Sequence, residues 1–253
     1  RNKVMSFTVV IPARYGSSRF PGKPLALIDG KPMIQHVVER AKEAGADNVI
    51  VATDDERIQN VVLGFAQVCM TSVNHQSGTE RIAEVIEKEG IANSTIVVNV
   101  QGDEPFIPAE NIKQVADNLA NAPQCQMATL STPIERVEDV FNPNIVKVLV
   151  NEKGESIYFS RSPIPFERDH MMAKPQSANT SLYKRHIGIY AYRAEYVKQY
   201  IAYAPSSLEQ IESLEQLRAI WYGDKIHCEV AIAPPPVGID TPEDLERLLK
   251  TIS

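Results

Sequence analysis

Residues 9–24 read Val-Val-Ile-Pro-Ala-Arg-Tyr-Gly-Ser-Ser-Arg-Phe-Pro-Gly-Lys-Pro, a short apolar run followed directly by small, turn-forming and basic residues. The apolar run predicts a buried first strand. The loop after it carries three cations, Arg14, Arg19 and Lys23, in an otherwise acidic chain. Its glycines and serines let backbone N–H groups approach an anion closely. The stretch therefore predicts a phosphate-binding loop, although the spacing of a Walker A loop and a Gly-x-Gly-x-x-Gly turn are both missing.

The composition is that of an ordinary globular protein, with 253 residues, 43% hydrophobic and 23% charged. A net charge of −6 argues against a nucleic-acid or anionic-membrane surface, so the basic loop is expected to serve a local anionic ligand. No apolar run reaches the ~20 residues of a membrane span. The three cysteines are far apart and lack metal-ligand spacing, which favours reduced thiols in a cytoplasmic protein.

Alternating helix and strand patterns follow the first loop. They predict a helix at 32–44, strands at 48–53, 67–70 and 95–100, and a helix at 108–121. This alternation indicates an α/β fold with a mostly parallel sheet, helices on both faces and ligands at the carboxyl ends of the strands.

The alternation breaks beyond residue 121. Short strands at 127–132, 146–150 and 156–159 predict a small antiparallel lobe, at about 126–192, inserted into a single domain of residues 5–253. A strand at 187–192 follows. A capping box at Ser206 and Glu209 predicts one helix running to about Tyr222 with Ile211 inside, and a late strand at 226–231 comes next.

Two polar segments lie where ligands are expected. Asn-His-Gln-Ser-Gly-Thr-Glu-Arg at 74–81 leads into a helix, with Thr79 as its expected cap. Gln-Gly-Asp-Glu-Pro at 101–105 follows a buried strand, where an α/β enzyme places a metal ligand. Asp103 is expected to face the ligand and Glu104 to give structural support, because successive side chains of an extended segment alternate faces. Asp240, before Thr-Pro-Glu-Asp, is also compatible with a plain helix cap.

In this order, the segments resemble those of the sugar-nucleotide cytidylyltransferases, and among them the enzymes that act on 3-deoxy-manno-octulosonate (Kdo). The resemblance covers the chain from Met5 onward and includes Pro-Ala-Arg, Pro-Gly-Lys-Pro-Leu, Ala-Thr-Asp, His-Gln-Ser-Gly-Thr-Glu-Arg, Gln-Gly-Asp-Glu-Pro, Tyr-Phe-Ser-Arg, His-Ile-Gly-Ile-Tyr, Leu-Glu-Gln-Leu-Arg and Gly-Ile-Asp-Thr-Pro-Glu-Asp. It implies a Rossmann-like nucleotidyltransferase fold and a homodimer built through the inserted lobe. The implied reaction joins CTP and Kdo to give CMP-Kdo and pyrophosphate, for lipopolysaccharide synthesis.

The resemblance also implies roles for individual residues. Mg²⁺ would be held by Asp103 and Asp240, and catalysis would use these two with Arg14 and Lys23. The implied nucleotide site consists of Ala13, Arg14, Lys23, Ser77, Gly78 and Arg81. The implied sugar site consists of Gln101, Arg161, His186, Tyr190 and Glu212.

Three alternatives remain at this stage. One is a cytidylyltransferase for sialic acid or for an isoprenoid-precursor alcohol, although the downstream motifs of those enzymes are not found. Another is a regulatory module that binds a sugar nucleotide without turnover, which loss of a metal carboxylate would mark. A nucleic-acid-binding protein is the weakest, given the acidic balance. The number of Mg²⁺ ions, closure of the site and tolerance for other acidic sugars stay open.

Overall fold

The computed structural model describes residues 6–236 and 238–252. In these residues the strands are β1 (Phe7–Pro12), β2 (Leu27–Ile28), β3 (Lys31–Pro32), β4 (Asn48–Thr53), β5 (Gln67–Met70), β6 (Ile96–Asn99), β7 (Met127–Pro133), β8 (Lys147–Val150), β9 (Ser156–Ser160), β10 (Lys184–Arg193) and β11 (Ile226–Val230). The helices are α1 (Met33–Glu43), α2 (Glu56–Val62), α3 (Gly78–Lys88), α4 (Ala109–Ala120), α5 (Val137–Phe141), α6 (Arg168–Ala173), α7 (Ala194–Ala202), α8 (Ser207–Glu212), α9 (Leu217–Trp221) and α10 (Pro242–Ile252). Short 3-10 turns lie at Lys23–Leu25 and Thr180–Leu182.

The main sheet has the strand order β11-β7-β10-β6-β1-β4-β5. Strands β6, β1, β4 and β5 are parallel neighbours, and β11 runs parallel to β7. The long strand β10 runs antiparallel between β6 and β7. The predicted α/β fold with a mostly parallel central sheet is thereby confirmed.

The stretch 126–192 is partly built into this sheet, because β7 and β10 are two of its inner strands. Only β8 and β9 lie off the main path; they form an antiparallel hairpin, and β8 pairs with the beginning of β10. The role of the stretch in sugar binding or dimerisation stays a prediction.

Helices cover both faces of the sheet because the inner strands are apolar on both sides. Val9 and Ile11 of β1 pack with α1 and α4, whereas Val10 packs with α3 and α7 on the other face. This is the period of two expected for a strand buried on both sides. The three cysteines are all buried in this core.

The predicted single helix from Ser206 to Tyr222 is wrong. The capping box at Ser206 and Glu209 is confirmed, but α8 ends at Glu212, and the C-cap Ser213 adopts the left-handed conformation with φ 53°. Arg161 donates to the backbone carbonyls of Glu212 and Ser213 at 2.7 and 3.2 Å. A continuing helix would use those carbonyls itself, so the chain turns and restarts as α9. Ile211, expected inside, is 80% exposed.

Within the described part of the chain, no helix has the length and apolar character needed to cross a membrane.

Candidate active site

A cavity of about 480 Å³ lies at the carboxyl ends of β1 and β6. Three segments line it: the phosphate loop, by which we mean residues 13–24, the stretch 75–81, and residues 101–103. Gly102 lets the first and third segments meet, since a Cβ there would lie 2.9 Å from the carbonyl oxygen of Pro12. We call this the main cavity.

The cations of the phosphate loop differ in their bonding. Arg14 and Arg19 are exposed and line the main cavity. Neither guanidinium has a hydrogen bond or ion pair with any residue that the structure describes. In contrast, Nζ of Lys23 donates to Oδ2 of Asp103 at 3.1 Å and to the carbonyl oxygen of Ile239 at 3.0 Å. The two arginines are therefore available for an anion, while Lys23 joins the phosphate loop to both candidate metal-binding segments.

The opposite wall comprises the beginning of α3. Ser77 is the N-cap, and its Oγ accepts the Glu80 N–H at 3.2 Å. The expectation that Thr79 caps this helix is wrong, because Thr79 lies inside the first turn and is buried. Gly78 and Ala13 face the same cavity.

Arg81 is anchored by its neighbours. It is 2% exposed, and its Nη1 donates to Oγ1 of Thr71 and, at 3.2 Å, to the carbonyl oxygen of Ser72. Its Nη2 lies 3.5 Å from Oδ2 of Asp54. These bonds hold one edge of a rigid guanidinium against the cavity wall, a geometry suited to reading a flat polar ligand.

Of the carboxylates near Lys23, Asp103 lines the main cavity. Burial, followed by the negative charges of Asp103 and Asp240, raises the pKa of Glu104 to about 7, so the three carboxylates interact electrostatically. Asp240 is exposed, and its backbone N–H donates to Asp244. Thr241, rather than Asp240, caps α10 by accepting the Asp244 N–H.

A smaller cavity of about 90 Å³ lies beyond Gln101; we call it the inner cavity. Gly78 and Gln101 line both cavities, so the two spaces adjoin. The remaining lining residues come from α3, β6, β7, β10, α7 and the segment before α9: Thr79, Asn99, Met127, Tyr190, Tyr192, Tyr200, Glu215 and Gln216.

The groups of the inner cavity are desolvated. Burial raises the pKa of Tyr190 well above its usual value and also raises the pKa of Glu215. The Oε1 atom of Glu215 is buried and makes no hydrogen bond of normal geometry with a described residue, although Thr79 and Tyr200 lie close enough to lower the pKa of this carboxyl and so oppose part of the effect of burial. A buried acceptor without a partner is costly, so a ligand hydroxyl that donated to it in this cavity would bind favourably.

His186 lies behind Tyr190. Their rings are 5.4 Å apart, and Nε2 of His186 is 2.8 Å from Oγ1 of Thr129. Burial, followed by the nearby charge of Arg185, lowers the pKa of His186 to about 3. The imidazole is therefore neutral at ordinary pH and supports the wall that Tyr190 presents.

Arg161 and Glu212 form hydrogen bonds that join the end of β9 to the end of α8, and neither residue lines the main or the inner cavity. Glu212 accepts from Oγ of Ser160 at 2.7 Å and from the Arg161 N–H at 2.9 Å. The Arg161 guanidinium donates to the carbonyls of Glu212, Ser213 and Pro143. Their role in binding a sugar stays a prediction.

Sequence reasoning missed Glu215 and Gln216 in the inner cavity. The motif Leu-Glu-Gln-Leu-Arg at 214–218 contains both, so the signal was present. The break at Ser213 was not foreseen, and it separates Glu212 at the end of α8 from Glu215 in the inner cavity.

Comparison with known proteins gives a consistent result. Residues 8–226 match the family described as cytidylyltransferase. A curated protein of Alteromonas mediterranea, named 3-deoxy-manno-octulosonate cytidylyltransferase, is 88% identical, covering 98% of this chain and 100% of the relative. A protein of the same name from Idiomarina loihiensis is 62% identical, covering 97% and 98%.

Solved structures agree with this. A structure of CMP:2-keto-3-deoxy-manno-octonic acid synthetase complexed with CTP has a TM-score of 0.87 and 43% identity, covering 98% of both chains. A 4-diphosphocytidyl-2C-methyl-D-erythritol synthase has a TM-score of 0.64 at 13% identity, over the full length of both chains, which shows the shared fold alone.

The fold and the cavity at its strand ends define a nucleotidyltransferase. More narrowly, the chain belongs to the cytidylyltransferase family, among the members that carry the name 3-deoxy-manno-octulosonate cytidylyltransferase.

Proposed function

We propose that this chain transfers CMP from CTP to the anomeric hydroxyl of Kdo, releasing pyrophosphate, in a reaction that requires Mg²⁺. One observation carries the proposal. Two arginines without internal partners face a cavity that adjoins a second, desolvated cavity containing a buried carboxylate oxygen without a partner. The first arrangement suits a polyphosphate and the second suits a polyhydroxylated acceptor.

The triphosphate of CTP would lie along the phosphate loop, where Arg14 and Arg19 contribute forked donors and Lys23 a point charge. The cytosine would lie toward Ser77, Gly78 and Arg81. Cytosine presents a carbonyl oxygen and an unprotonated ring nitrogen as acceptors, and Arg81 is fixed in place to donate toward them.

The acceptor sugar would occupy the inner cavity and reach the main cavity past Gln101. Tyr190 and Gln216 offer polar groups to its hydroxyls, and Oε1 of Glu215 offers an acceptor that the free protein leaves unused. Recognition there would depend on matching buried polar groups, because a ligand that lacks a hydroxyl would leave its partner unpaired.

The carboxylates fit Mg²⁺, which prefers one or two protein carboxylates completed by water and substrate phosphates. Asp103 and Asp240 come from separate segments yet both act electrostatically on Glu104. In the described residues, no group of three or more His, Cys, Asp or Glu side chains could hold a metal, so substrate oxygens would have to complete the site. When bound, the ion would neutralise phosphate charge and acidify the attacking hydroxyl.

The protein's contribution to the chemical step is positioning and charge. The sugar hydroxyl would attack the α-phosphorus in line with the departing pyrophosphate, with the two substrates held in adjoining cavities. Lys23 would exchange part of its contact with Asp103 for the phosphates and stabilise the charge that develops on the leaving group.

The proposal extends to the setting of the reaction. The product would supply lipopolysaccharide synthesis in the cytoplasm, and the enzyme would act as a homodimer. Phe166, Met172 and Leu182 support the dimer, because these apolar side chains in the stretch 126–192 are each more than half exposed.

Pyrophosphate release tests the proposal directly. Purified protein is incubated with CTP and MgCl2 plus Kdo, sialic acid or no sugar, each with and without EDTA. Release that requires both Kdo and Mg²⁺ is expected. Release with sialic acid but not Kdo would overturn the acceptor assignment, and CTP binding without release with either sugar would favour a regulatory module.

A further inference from the structure

Two consecutive carboxylates after β4 hold arginines on opposite sides of the main cavity. Asp54 pairs with Arg81, which belongs to the wall opposite the phosphate loop. Asp55 pairs with Arg57, which contacts Tyr15 of the phosphate loop. The end of β4 is thus an anchor common to both walls.

Arg57 is fixed on one edge by Asp55. Its Nε and Nη2 donate to Oδ1 and Oδ2 of that carboxylate at 3.1 and 2.8 Å, a bidentate pair. Asp55 is itself fixed, because it caps α2 by accepting the Arg57 N–H at 2.8 Å. The guanidinium is therefore held by a rigid helix terminus, although its side chain is 61% exposed.

The face of the same guanidinium lies on Tyr15. Its Cζ atom is 3.3 Å from the centre of the Tyr15 ring, a close cation–π contact. Such contacts are worth more when the cation is pre-oriented, because less side-chain freedom is lost in making them.

Tyr15 in turn closes the phosphate loop. Its carbonyl oxygen accepts the Gly22 N–H at 2.8 Å, and a Cβ at Gly22 would lie 3.2 Å from its ring. Gly22 has φ 69°, so it takes the left-handed conformation that leads into the turn carrying Lys23. Tyr15 directly follows Arg14 and is bonded to the residue before Lys23, so it contacts both ends of the anion-binding segment.

We propose that Arg57 and Tyr15 form a latch that sets the conformation of the phosphate loop for the nucleotide triphosphate. Arg57 is a positioning residue: it does not line the main cavity and acts on Arg14 and Lys23 through Tyr15. The latch depends on the proposed function in one respect, namely that the nucleotide bound by the phosphate loop is CTP. It predicts a defect in CTP binding and none in binding of the acceptor.

The test is calorimetric titration of CTP with MgCl2 and no sugar, so the acceptor assignment does not affect the result. Arg57→Ala and Tyr15→Leu are expected to raise the Kd for CTP by about three- to ten-fold, consistent with loss of one cation–π contact. Tyr15→Phe keeps the ring and is expected to stay within about two-fold of the unsubstituted protein. The double variant should bind CTP no more weakly than the weaker-binding single variant, because the two substitutions remove the same contact.

Two controls separate a latch from general damage. Arg136→Ala removes another exposed arginine paired with a nearby carboxylate, and it should leave the Kd unchanged. The KM for the acceptor at saturating CTP should be unchanged in all variants. Unaltered CTP affinity in both Arg57→Ala and Tyr15→Leu would overturn the latch, as would equal losses in Tyr15→Phe and Tyr15→Leu. If the CTP affinities change as expected but the unsubstituted protein does not turn over Kdo, only the assignment of Kdo as acceptor is overturned. If the unsubstituted protein does not bind CTP, both the proposed function and the latch are overturned.

Discussion

The phosphate loop and the inner cavity both present groups that have no partner among the described residues, but in opposite environments. Arg14 and Arg19 are exposed, so water solvates their charges at little cost. Oε1 of Glu215 is buried, and its lack of a partner costs free energy, which a donating sugar hydroxyl would offset under the proposed function. The phosphate loop can attract any polyanion, whereas the inner cavity would bind tightly only a ligand that places a hydroxyl near Glu215.

Under the proposed function, the two regions would contribute differently to affinity and to specificity. Exposed charges bind through Coulomb attraction, which salt screens over about 10 Å at 0.1 M. Desolvated polar groups bind through hydrogen bonds whose absence is penalised. We therefore expect substitutions in the phosphate loop to act on CTP and those in the inner cavity to act on the sugar.

The largest effect is expected at Asp103, which lines the main cavity and pairs with Lys23 of the phosphate loop. Asp103→Asn keeps the shape of the side chain and removes the charge that pairs with Lys23 and would bind Mg²⁺. Turnover should fall by about 10³-fold or more, since a metal-binding charge at the reacting phosphate is lost. Steady-state pyrophosphate release at several MgCl2 concentrations measures this.

Asp117→Asn is the matched control, because Asp117 forms an exposed ion pair with Lys113 remote from the cavities. It should leave turnover unchanged. Recovery of near-normal turnover by Asp103→Asn at saturating MgCl2 would contradict the assignment of Asp103 to the metal.

The next effect is expected at Lys23. Lys23→Ala should lower kcat/KM for CTP by about 10²-fold, comparable to losing one preorganised charge at a developing anion. Lys31→Ala, which removes an exposed lysine paired with Glu39, should have no effect. If the two variants behaved alike, the phosphate loop would not bind through Lys23.

The sequence predicts the main cavity better than the inner cavity, because the two are built from chain segments in different ways. The main cavity comes from segments next to strands, and contiguous motifs were enough to place Ala13, Arg14, Lys23 and Ser77 on its walls. The inner cavity joins Thr79, Tyr190 and Glu215, which are far apart in the chain. Only the tertiary fold brings them together.

The errors have local causes. The left-handed residue Ser213 is not a glycine, so the sequence does not indicate a turn there. The Arg161 guanidinium stabilises this turn by donating to the Ser213 carbonyl oxygen. Helix α7 follows β10 directly without a glycine or proline, and it was not predicted. The latch at Arg57 could not be seen because Tyr15 and Arg57 lie on different elements.

A third prediction concerns the two carboxylates near Ser213. Glu215→Gln should raise the KM for the sugar by about 10- to 100-fold, the cost of a lost buried hydrogen bond to a charged group, and leave the Kd for CTP unchanged. It should also keep or increase stability, because it removes a desolvated carboxylate.

Glu212→Gln provides the comparison. Its carboxylate already accepts from Ser160 and Arg161, so the substitution should lower the free energy of unfolding and leave the KM for the sugar unchanged. A reversed pattern, with the KM effect at Glu212, would return the sugar site to Glu212 and Arg161.

The smallest effect is a pH dependence of stability arising behind the inner cavity. The pKa of His186 is lowered to about 3 by burial, so below the ordinary value of 6.5 the unfolded chain takes up a proton that the folded chain does not. Stability should therefore fall as pH decreases from about 6.5, by up to about 1.4 kcal/mol per pH unit from this residue.

Urea unfolding of the unsubstituted protein and of His186→Gln between pH 4.5 and 8 measures this pH dependence. The variant should show a shallower slope below pH 6.5 and a parallel curve above it, whatever its constant loss of stability. Identical slopes in both proteins would mean that His186 takes up a proton in the folded protein, and that burial does not keep the region behind the inner cavity desolvated.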